Sequence, residues 1–330
     1  MMGLMNGAHG IDRRGFLVAA AAAAATTKLE AQSGQPPIPI IDSHIHLFDQ
    51  TRPQGAPYTG GRDPGGAPSV PALPARYRTL VARPLGIVGA IEVEASPWIE
   101  DNLWVLEVAQ ADTIMVGTIG NLEPDKPEFP EYLERYHKNP LFRGIRYGNL
   151  WGRDFTKASE NPTFINGLKL LAQAGLILDT ANPRITLLEA VVRITSQVPD
   201  LRVMIDHLPN MEPTDAERPV YERLLTEIGK RPQIYVKVSE VVHRVNGQVS
   251  FDVNRYRDRL DHLIGVFGED RIVFGSDWPN SDGVGPIDQV VGVVKEYFSA
   301  KPRALQEKYY WKNSVAAYRW VKREPTQPSL

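Results

Sequence analysis

Short apolar runs that recur along the chain, separated by longer segments, constrain the fold of this protein more than any other feature. Eight such runs have the composition of buried strands. They are residues 40–46, 88–95, 114–119, 142–147, 176–180, 203–208, 234–241 and 271–279. Segments between them, such as 96–111 and 252–267, have the apolar spacing of helices. Alternating strands and helices predict a parallel sheet with right-handed crossovers, closed into a TIM (β/α)8 barrel, an α/β fold.

The composition limits what such a barrel binds. The length of 330 residues suits one barrel domain with an amino-terminal extension. The formal net charge of -2 comes from interspersed acidic and basic residues, which leaves no electrostatic footprint for nucleic acid. We therefore expect a small-molecule substrate. The chain has no cysteine, which excludes disulfides, thiolate metal ligands and a cysteine nucleophile.

The amino-terminal segment has the pattern of an export signal. Arg13 and Arg14 precede an alanine run at residues 19–25, which is too short to cross a bilayer as a stable helix. Twin arginines before an alanine-rich stretch are typical of a twin-arginine (Tat) signal, whose cargo crosses the membrane folded. We therefore predict that residues 1–36 are signal peptide and linker and residues 37–330 the barrel. The protein would be periplasmic or secreted after transient contact with the Tat export machinery.

The first apolar run carries three polar residues, Asp42, His44 and His46. Alternation along a strand places these three side chains on one face, with the two imidazoles near the carboxyl end. Imidazoles bind divalent metals or transfer protons near neutral pH. A His-x-His pair also arises by chance or for structural reasons. It therefore indicates a functional site only together with polar residues at the ends of other strands.

Other predicted strands also end in polar side chains, at the end of the barrel where chemistry collects. They are Glu94, Arg146, His207, Lys237 and Asp277. We expect Arg146 and Lys237 either to bind substrate oxygens or to form structural ion pairs. Glu92 is predicted to pair with a cation inside the barrel, because an unpaired buried charge is costly. Alternation in the sixth run places His207 on the opposite face from its neighbour Asp206.

A connection rich in glycine and proline, residues 47–76, follows the histidine pair. Stretches of that length without secondary structure are usually functional lids or disordered. We predict that this one covers the barrel mouth. Tyr58, Arg52 and Arg62 are candidates to contact substrate there, with solvated loop positions as the alternative.

Several segments together resemble the amidohydrolase-related family of the amidohydrolase superfamily, over about residues 37–320. They are residues 42–46, 94–97, 144–146, 206–207 and 275–279. The chain is most similar to the lactonase branch, which includes 2-pyrone-4,6-dicarboxylate lactonase and sugar lactonases. The resemblance implies a distorted TIM barrel that hydrolyses a cyclic ester. It also implies that His44 and His46 are the paired histidines of the family, His207 its later histidine and Asp277 its catalytic aspartate.

The resemblance leaves the metal content open. A binuclear centre is not expected, because the fourth strand lacks a lysine suited to carbamate formation and Asp179 stands where many members have histidine. The alternatives are a metal-free site and a single divalent ion, zinc before others. The predicted ligands of that ion are His44, His46, Glu94, His207 and Asp277.

Lactone opening needs an activated water, a polarised carbonyl and a proton for the leaving alkoxide. We predict that Asp277 is the general base, that the three histidines hold a metal or polarise the carbonyl, and that substrate is oriented by Tyr58, Arg146 and Lys237. The competing hypotheses are a metal-dependent decarboxylase of the aminocarboxymuconate-semialdehyde or resorcylate type, an amide hydrolase, and a non-catalytic ligand-binding barrel.

Overall fold

In the computed structural model, eight parallel strands form one sheet in the order in which they occur along the chain. They are β1 (Ile40–Ile45), β2 (Ile87–Val93), β3 (Met115–Gly120), β4 (Phe142–Arg146), β5 (Ile177–Asp179), β6 (Arg202–Ile205), β7 (Ile234–Val238) and β8 (Ile272–Phe274). Nearly every strand residue is buried, as expected for strands covered on both faces. The predicted TIM barrel is therefore confirmed.

The structure describes residues 35–58 and 70–329. The predicted export signal and Arg62 lie outside these residues. The barrel belongs to the unit Pro39–Leu330. Among the described residues, no helix combines the length and the apolar character needed to cross a membrane.

Helices connect the strands on the outside of the sheet. They are α1 (Pro74–Tyr77, a π-helical Arg78–Ala82, then Arg83–Leu85), α2 (Asp101–Ala111), α3 (Phe129–His137), α4 (Phe155–Ala158), α5 (Pro162–Gln173), α6 (Ile185–Gln197), α7 (Arg218–Gly229), α8 (Asn254–Phe267), α9 (Ile287–Ser299) and α10 (Arg303–Glu307, a π-helical Lys308–Lys312, then Asn313–Tyr318). Short 3-10 turns cover Leu208–Asn210 and Asn280–Gly283.

Local sequence explains these boundaries. In α5, Pro162 occupies the first turn, where its missing N–H costs nothing, and the side chain of Asn161 accepts a hydrogen bond from the Thr163 N–H. In α6, Leu187, Leu188, Val191 and Ile194 are buried, which is the spacing of one helix face against the sheet.

The barrel closes between β1 and the segment that follows β8. The Asp277 N–H donates to the His44 carbonyl at 2.9 Å, and the His46 N–H donates to the Trp278 carbonyl at 2.8 Å. The hydroxyl of Ser43 donates to the Phe274 carbonyl at 2.5 Å. Backbone hydrogen bonds of the seam therefore fix Asp277 beside the two histidines.

The strict alternation predicted for β1 fails at its centre. The pairing of β1 with β2 shifts between Asp42 and Ile45, so the two strands lose their common register there. The Asp42 carboxylate accepts hydrogen bonds from the Tyr77 hydroxyl and the Ser276 N–H, each at 2.8 Å. Asp42 thus ties α1 to the seam and does not join the cluster of histidines.

Candidate active site

His44, His46 and Asp277 meet at the carboxyl end of the barrel. The Nε2 atoms of the two histidines are 3.3 Å apart, and Asp277 Oδ1 lies 3.5 Å from that of His44 and 3.3 Å from that of His46. His207 stands beside them, with its ring centroid 4.4 Å from that of His44 and its Nε2 atom 3.9 Å from Asp277 Oδ1. All four side chains are buried. The structure thus brings the four predicted catalytic side chains together.

Three side chains of the site come from residues with left-handed backbone. These residues are His207 (φ +54°), Glu240 (φ +48°) and Asp277 (φ +57°), which follow the ends of β6, β7 and β8. This conformation costs a non-glycine residue on the order of 1–3 kcal/mol and recurs at functional sites. It also ends the strand alternation, so Asp206 and His207 both reach the site, which the sequence pattern did not predict.

The histidines of the site are neutral near pH 7. Burial lowers the pKa of His46 to about 4, and the nearby Arg146 guanidinium acts in the same direction. Burial also lowers the pKa values of His44 and His207 well below the usual range for imidazole. Neutral imidazoles are the form that binds metals or donates a single hydrogen bond.

Glu240 is a site residue that sequence reasoning missed. Its side chain is hydrogen-bonded to that of Asp277, and Asn210 donates to Glu240 Oε2. Burial raises the pKa of Asp277 to about 7, and burial and the Asp277 charge raise that of Glu240 to about 8. Only a protonated carboxyl donates a hydrogen bond, so a hydrogen bond between the two carboxyls requires a proton on one of them. We call His44, His46, His207, Glu240 and Asp277 the mouth cluster.

Lys237 lies beneath the mouth cluster. Its Nζ atom is 2.9 Å from Asp179 Oδ2 and 2.8 Å from Asp206 Oδ1, and all three side chains are fully buried. Arg146 reaches Asp206 Oδ2 with its Nε at 3.3 Å. We call Arg146, Asp179, Asp206 and Lys237 the inner cluster. Arg146 and Lys237 were expected either to bind substrate or to form structural ion pairs. The structure shows both of them in ion pairs.

Glu94 and Glu92 take positions that differ from those predicted. Glu94 accepts a hydrogen bond from the Trp151 indole at 3.0 Å and lies 3.9 Å from the Arg153 guanidinium. The Glu92 carboxyl accepts no hydrogen bond from a described residue, and burial, with Glu94 nearby, raises its pKa well above the usual range. Glu92 therefore forms no ion pair with a described residue, contrary to the predicted pairing with a cation. It lines a cavity of about 20 Å³ with Thr118 and Asn121, which is room for one water.

Some histidine and acidic side chains place their possible metal-ligand atoms close enough together to hold one ion. In the described residues, the groups of three are His44, His46 and Asp277; His44, Asp206 and His207; and His207, Glu240 and Asp277. Glu94, which was predicted as a further ligand, belongs to none of them.

The loop after β1 supplies one of its predicted contacts to the site. The Tyr58 ring lies 5.6 Å from that of His46, and its hydroxyl donates to Asn280. Arg52 instead pairs with Asp101 at 2.9 Å and stacks on Trp104. Arg52 thus attaches the loop to α2, while Tyr58 stands at the rim of the site.

With this geometry established, the chain can be compared with known proteins. The family model described as amidohydrolase matches residues 41–320, which is the barrel from β1 to α10. The chain belongs to the amidohydrolase family. The predicted resemblance is thereby confirmed.

Individual relatives of this amidohydrolase align with most of the chain. It is 24% identical over 249 residues to L-fucono-1,5-lactonase of Burkholderia ambifaria, a match that covers 73% of this chain and 80% of the relative. A crystal structure of a Burkholderia multivorans amidohydrolase with bound zinc has a TM-score of 0.73 at 20% identity, covering 85% of this chain and 99% of that one. A putative 2-pyrone-4,6-dicarboxylic acid hydrolase from Pseudomonas putida has a TM-score of 0.67 at 19% identity, covering 86% and 98%. The two structures show a common fold.

The donor atoms of the amidohydrolase fit a single zinc ion. In tetrahedral coordination with zinc–nitrogen distances of about 2.0–2.1 Å, neighbouring ligand atoms lie about 3.3 Å apart. The three separations among His44 Nε2, His46 Nε2 and Asp277 Oδ1 are 3.3, 3.3 and 3.5 Å. Three protein ligands leave the fourth position for a water or a substrate oxygen, which is the pattern of catalytic zinc sites.

Proposed function

We propose that this amidohydrolase opens lactone rings by adding water, and that its substrates are neutral, hydroxylated lactones. The observation that carries the proposal is the approach of the Asp277 carboxylate to the His44 and His46 imidazoles within 3.5 Å at the barrel mouth. A base beside groups that stabilise an oxyanion is what the attack of water on an ester carbonyl requires. The similarity to L-fucono-1,5-lactonase supports the same reaction class.

The residues of the mouth cluster divide the proton transfers among them. Ionised Asp277 accepts a proton from the attacking water and returns it to the ring oxygen as the ring C–O bond breaks. Its hydrogen bond with Glu240 keeps that proton within the pair between the two events. The neighbouring His44 imidazole faces the carbonyl oxygen, which becomes negative when water adds.

We further propose that His44, His46 and Asp277 hold one zinc ion. Bound there, zinc polarises the carbonyl as a Lewis acid and lowers the pKa of a coordinated water. His207 is left out of this set and orients the substrate, because its Nε2 atom lies 3.9 Å from Asp277 Oδ1, farther than the separations among the three proposed ligand atoms.

The charges around the mouth favour a neutral substrate. Glu94, Glu240 and Asp277 all present carboxyl groups there. Arg146 and Arg153 lie beside carboxylates of the protein, at 3.3 Å from Asp206 and 3.9 Å from Glu94. A dicarboxylate substrate would meet these acids while Arg146 and Arg153 are already paired with carboxylates of the protein. Hydroxyl groups can instead donate to the acids.

A panel of lactones tests the proposal. Zinc-free and zinc-loaded protein are assayed by proton release on L-fucono-1,5-lactone and on 2-pyrone-4,6-dicarboxylate. We expect kcat/KM to be at least about hundredfold higher for the sugar lactone, because a like-charged substrate costs several kcal/mol. Carbon dioxide release without lactone opening would support the decarboxylase alternative, and a lack of hydrolysis across the panel would contradict the proposed reaction.

We also propose export through the twin-arginine machinery, which rests on Arg13 and Arg14 ahead of the alanine run. Cell fractionation of the full chain and of the Arg13→Lys/Arg14→Lys variant tests it. Periplasmic protein that persists in the variant contradicts this route.

A further inference from the structure

The ammonium group of Lys237 contacts His44 as well as its two acids. Its Nζ atom lies 3.0 Å from His44 Nδ1, in addition to the contacts with Asp179 and Asp206. An ammonium group has three N–H donors and no lone pair. Nζ therefore cannot accept a hydrogen bond from His44, and His44 Nδ1 accepts one with its lone pair.

This contact decides where the single proton of neutral His44 resides. With Nδ1 accepting, the proton is on Nε2, which points to the mouth. His46 has the opposite arrangement, because its Nδ1 is 2.7 Å from the Val93 carbonyl, which only accepts. His46 Nε2 therefore carries a lone pair. The 3.3 Å contact between the two Nε2 atoms is then a hydrogen bond donated by His44 to His46.

Zinc binding by His44 Nε2 requires the other tautomer. The lone pair must then be on Nε2 and the proton on Nδ1, which needs an acceptor. Asp206 Oδ2 lies 3.6 Å from His44 Nδ1 and accepts no hydrogen bond of good geometry from a described residue. In that arrangement the third N–H of Lys237 loses its acceptor and faces an N–H donor.

We propose that Lys237 is a positioning residue that holds His44 in the tautomer protonated on Nε2, and that it thereby weakens zinc binding at the mouth. The proposal rests on the zinc site proposed above, but it does not depend on the identity of the substrate. His44 is then an N–H donor to the mouth in the zinc-free protein and gives up this role when it binds zinc.

The backbone of β8 makes room for this contact. A Cβ atom at Gly275 would lie 2.8 Å from the Cβ of His44 and 3.3 Å from two methylene carbons of Lys237. Real Cβ atoms do not approach a neighbour within 3.0 Å, so any side chain at this position would displace His44 or Lys237. Glycine at position 275 therefore permits the lysine to pass beside the histidine.

Nitrogen-15 NMR of ring-labelled histidines in zinc-free protein tests the tautomer directly. His44 is assigned by its absence in His44→Gln. In the wild type we expect a protonated Nε2 and an unprotonated Nδ1. In Lys237→Met the proton moves to Nδ1, where Asp206 accepts it.

A second variant separates this effect from charge and from stability. Lys237→Met/Asp179→Asn removes one cation and one anion together, so it keeps the net charge of the inner cluster and leaves no excess buried carboxylate. Zinc affinity is measured by competition with a chromophoric chelator. We expect the double variant to bind zinc on the order of tenfold more tightly than the wild type, since the competing hydrogen bond from a charged donor is gone.

Lys157→Met, at an exposed position, serves as the control and leaves tautomer and zinc affinity unchanged. The proposal is overturned if wild-type His44 carries its proton on Nδ1, or if the double variant keeps both the wild-type tautomer and the wild-type zinc affinity. Neither result depends on lactone hydrolysis, so failure of the proposed reaction remains a separate outcome.

Discussion

The inner cluster and the mouth cluster are adjacent groups of buried polar side chains, and they differ in how well their charges are matched. In the inner cluster, two acids face two cations at 2.8–3.3 Å. In the mouth cluster, an acid faces an acid, and three imidazoles with lowered pKa values stand next to one another. Buried groups with matched charges form a rigid support. Groups with poorly matched charges can transfer a proton or bind an ion. The comparison assigns stability to the first cluster and chemistry to the second.

The largest expected effect is on catalysis at the mouth. Asp277→Asn should lower kcat/KM by about a thousandfold, the range of a lost general base. Burial raises the pKa of Asp277 to about 7, so the folded protein binds a proton there that the unfolded chain releases above pH 4. Wild-type stability therefore falls as the pH rises through this window, and the variant should be at least as stable at pH 8. Lactone assays and thermal unfolding of one preparation measure both effects.

The exposed Asp215 supplies the control, and Asp215→Asn should keep full activity. An Asp277→Asn protein with a near wild-type rate would remove Asp277 from the mechanism.

The next effect is on stability and concerns the inner cluster. Asp206→Ala leaves Lys237 and Arg146 short of a buried partner, and breaking a buried ion pair from one side costs about 3–5 kcal/mol. Urea unfolding measures the loss, with Asp215→Ala expected to change the free energy of unfolding by less than about 0.5 kcal/mol. Equal free energies of unfolding for the two variants would contradict the assignment of a stabilising role to the inner cluster.

A smaller effect follows from pH. In zinc-free protein, kcat/KM should fall about tenfold per pH unit below about 7, because Asp277 must lose its proton to act as the base. Bound zinc favours the ionised carboxylate, so zinc-loaded protein should keep its activity to lower pH. Identical profiles for the two forms, or a flat zinc-free profile from pH 6 to 8, would count against this role of Asp277.

The smallest effect concerns the rim. Tyr58→Phe keeps the ring beside His46 but removes the hydroxyl that donates to Asn280. We expect KM to rise a few-fold with little change in kcat, since the substitution loosens the rim without touching the base. Steady-state kinetics measure this, with Tyr132→Phe, on α3, as the control. A loss of kcat comparable to that of Asp277→Asn would place Tyr58 in the chemistry itself.

Local patterns in the sequence were sufficient to predict the barrel and part of the mouth cluster. The apolar runs located all eight strands, and the polar residues at their carboxyl ends included His44, His46, His207 and Asp277. These predictions succeed because a parallel barrel brings all carboxyl ends to one side, wherever the strands lie in the chain.

Other features depend on geometry that periodicity does not contain. Glu240 enters the site from a residue with left-handed backbone, and the Asp42 side chain bonds to Tyr77 and Ser276 instead of the histidine rings. The ion pairs of Lys237 join residues far apart in the chain, so sequence spacing gives no signal for them. Its lone position inside a strand indicated a buried partner but not which acid that partner is.

The structure of the Asp277→Asn variant with intact L-fucono-1,5-lactone bound tests the account most directly. We predict a lactone carbonyl oxygen about 3 Å from the Nε2 atom of His44, or near a zinc ion between His44 and His46, with its carbonyl carbon facing position 277. A lactone bound elsewhere, or with its carbonyl turned away from these histidines, would contradict the assignment of the mouth cluster as the active site.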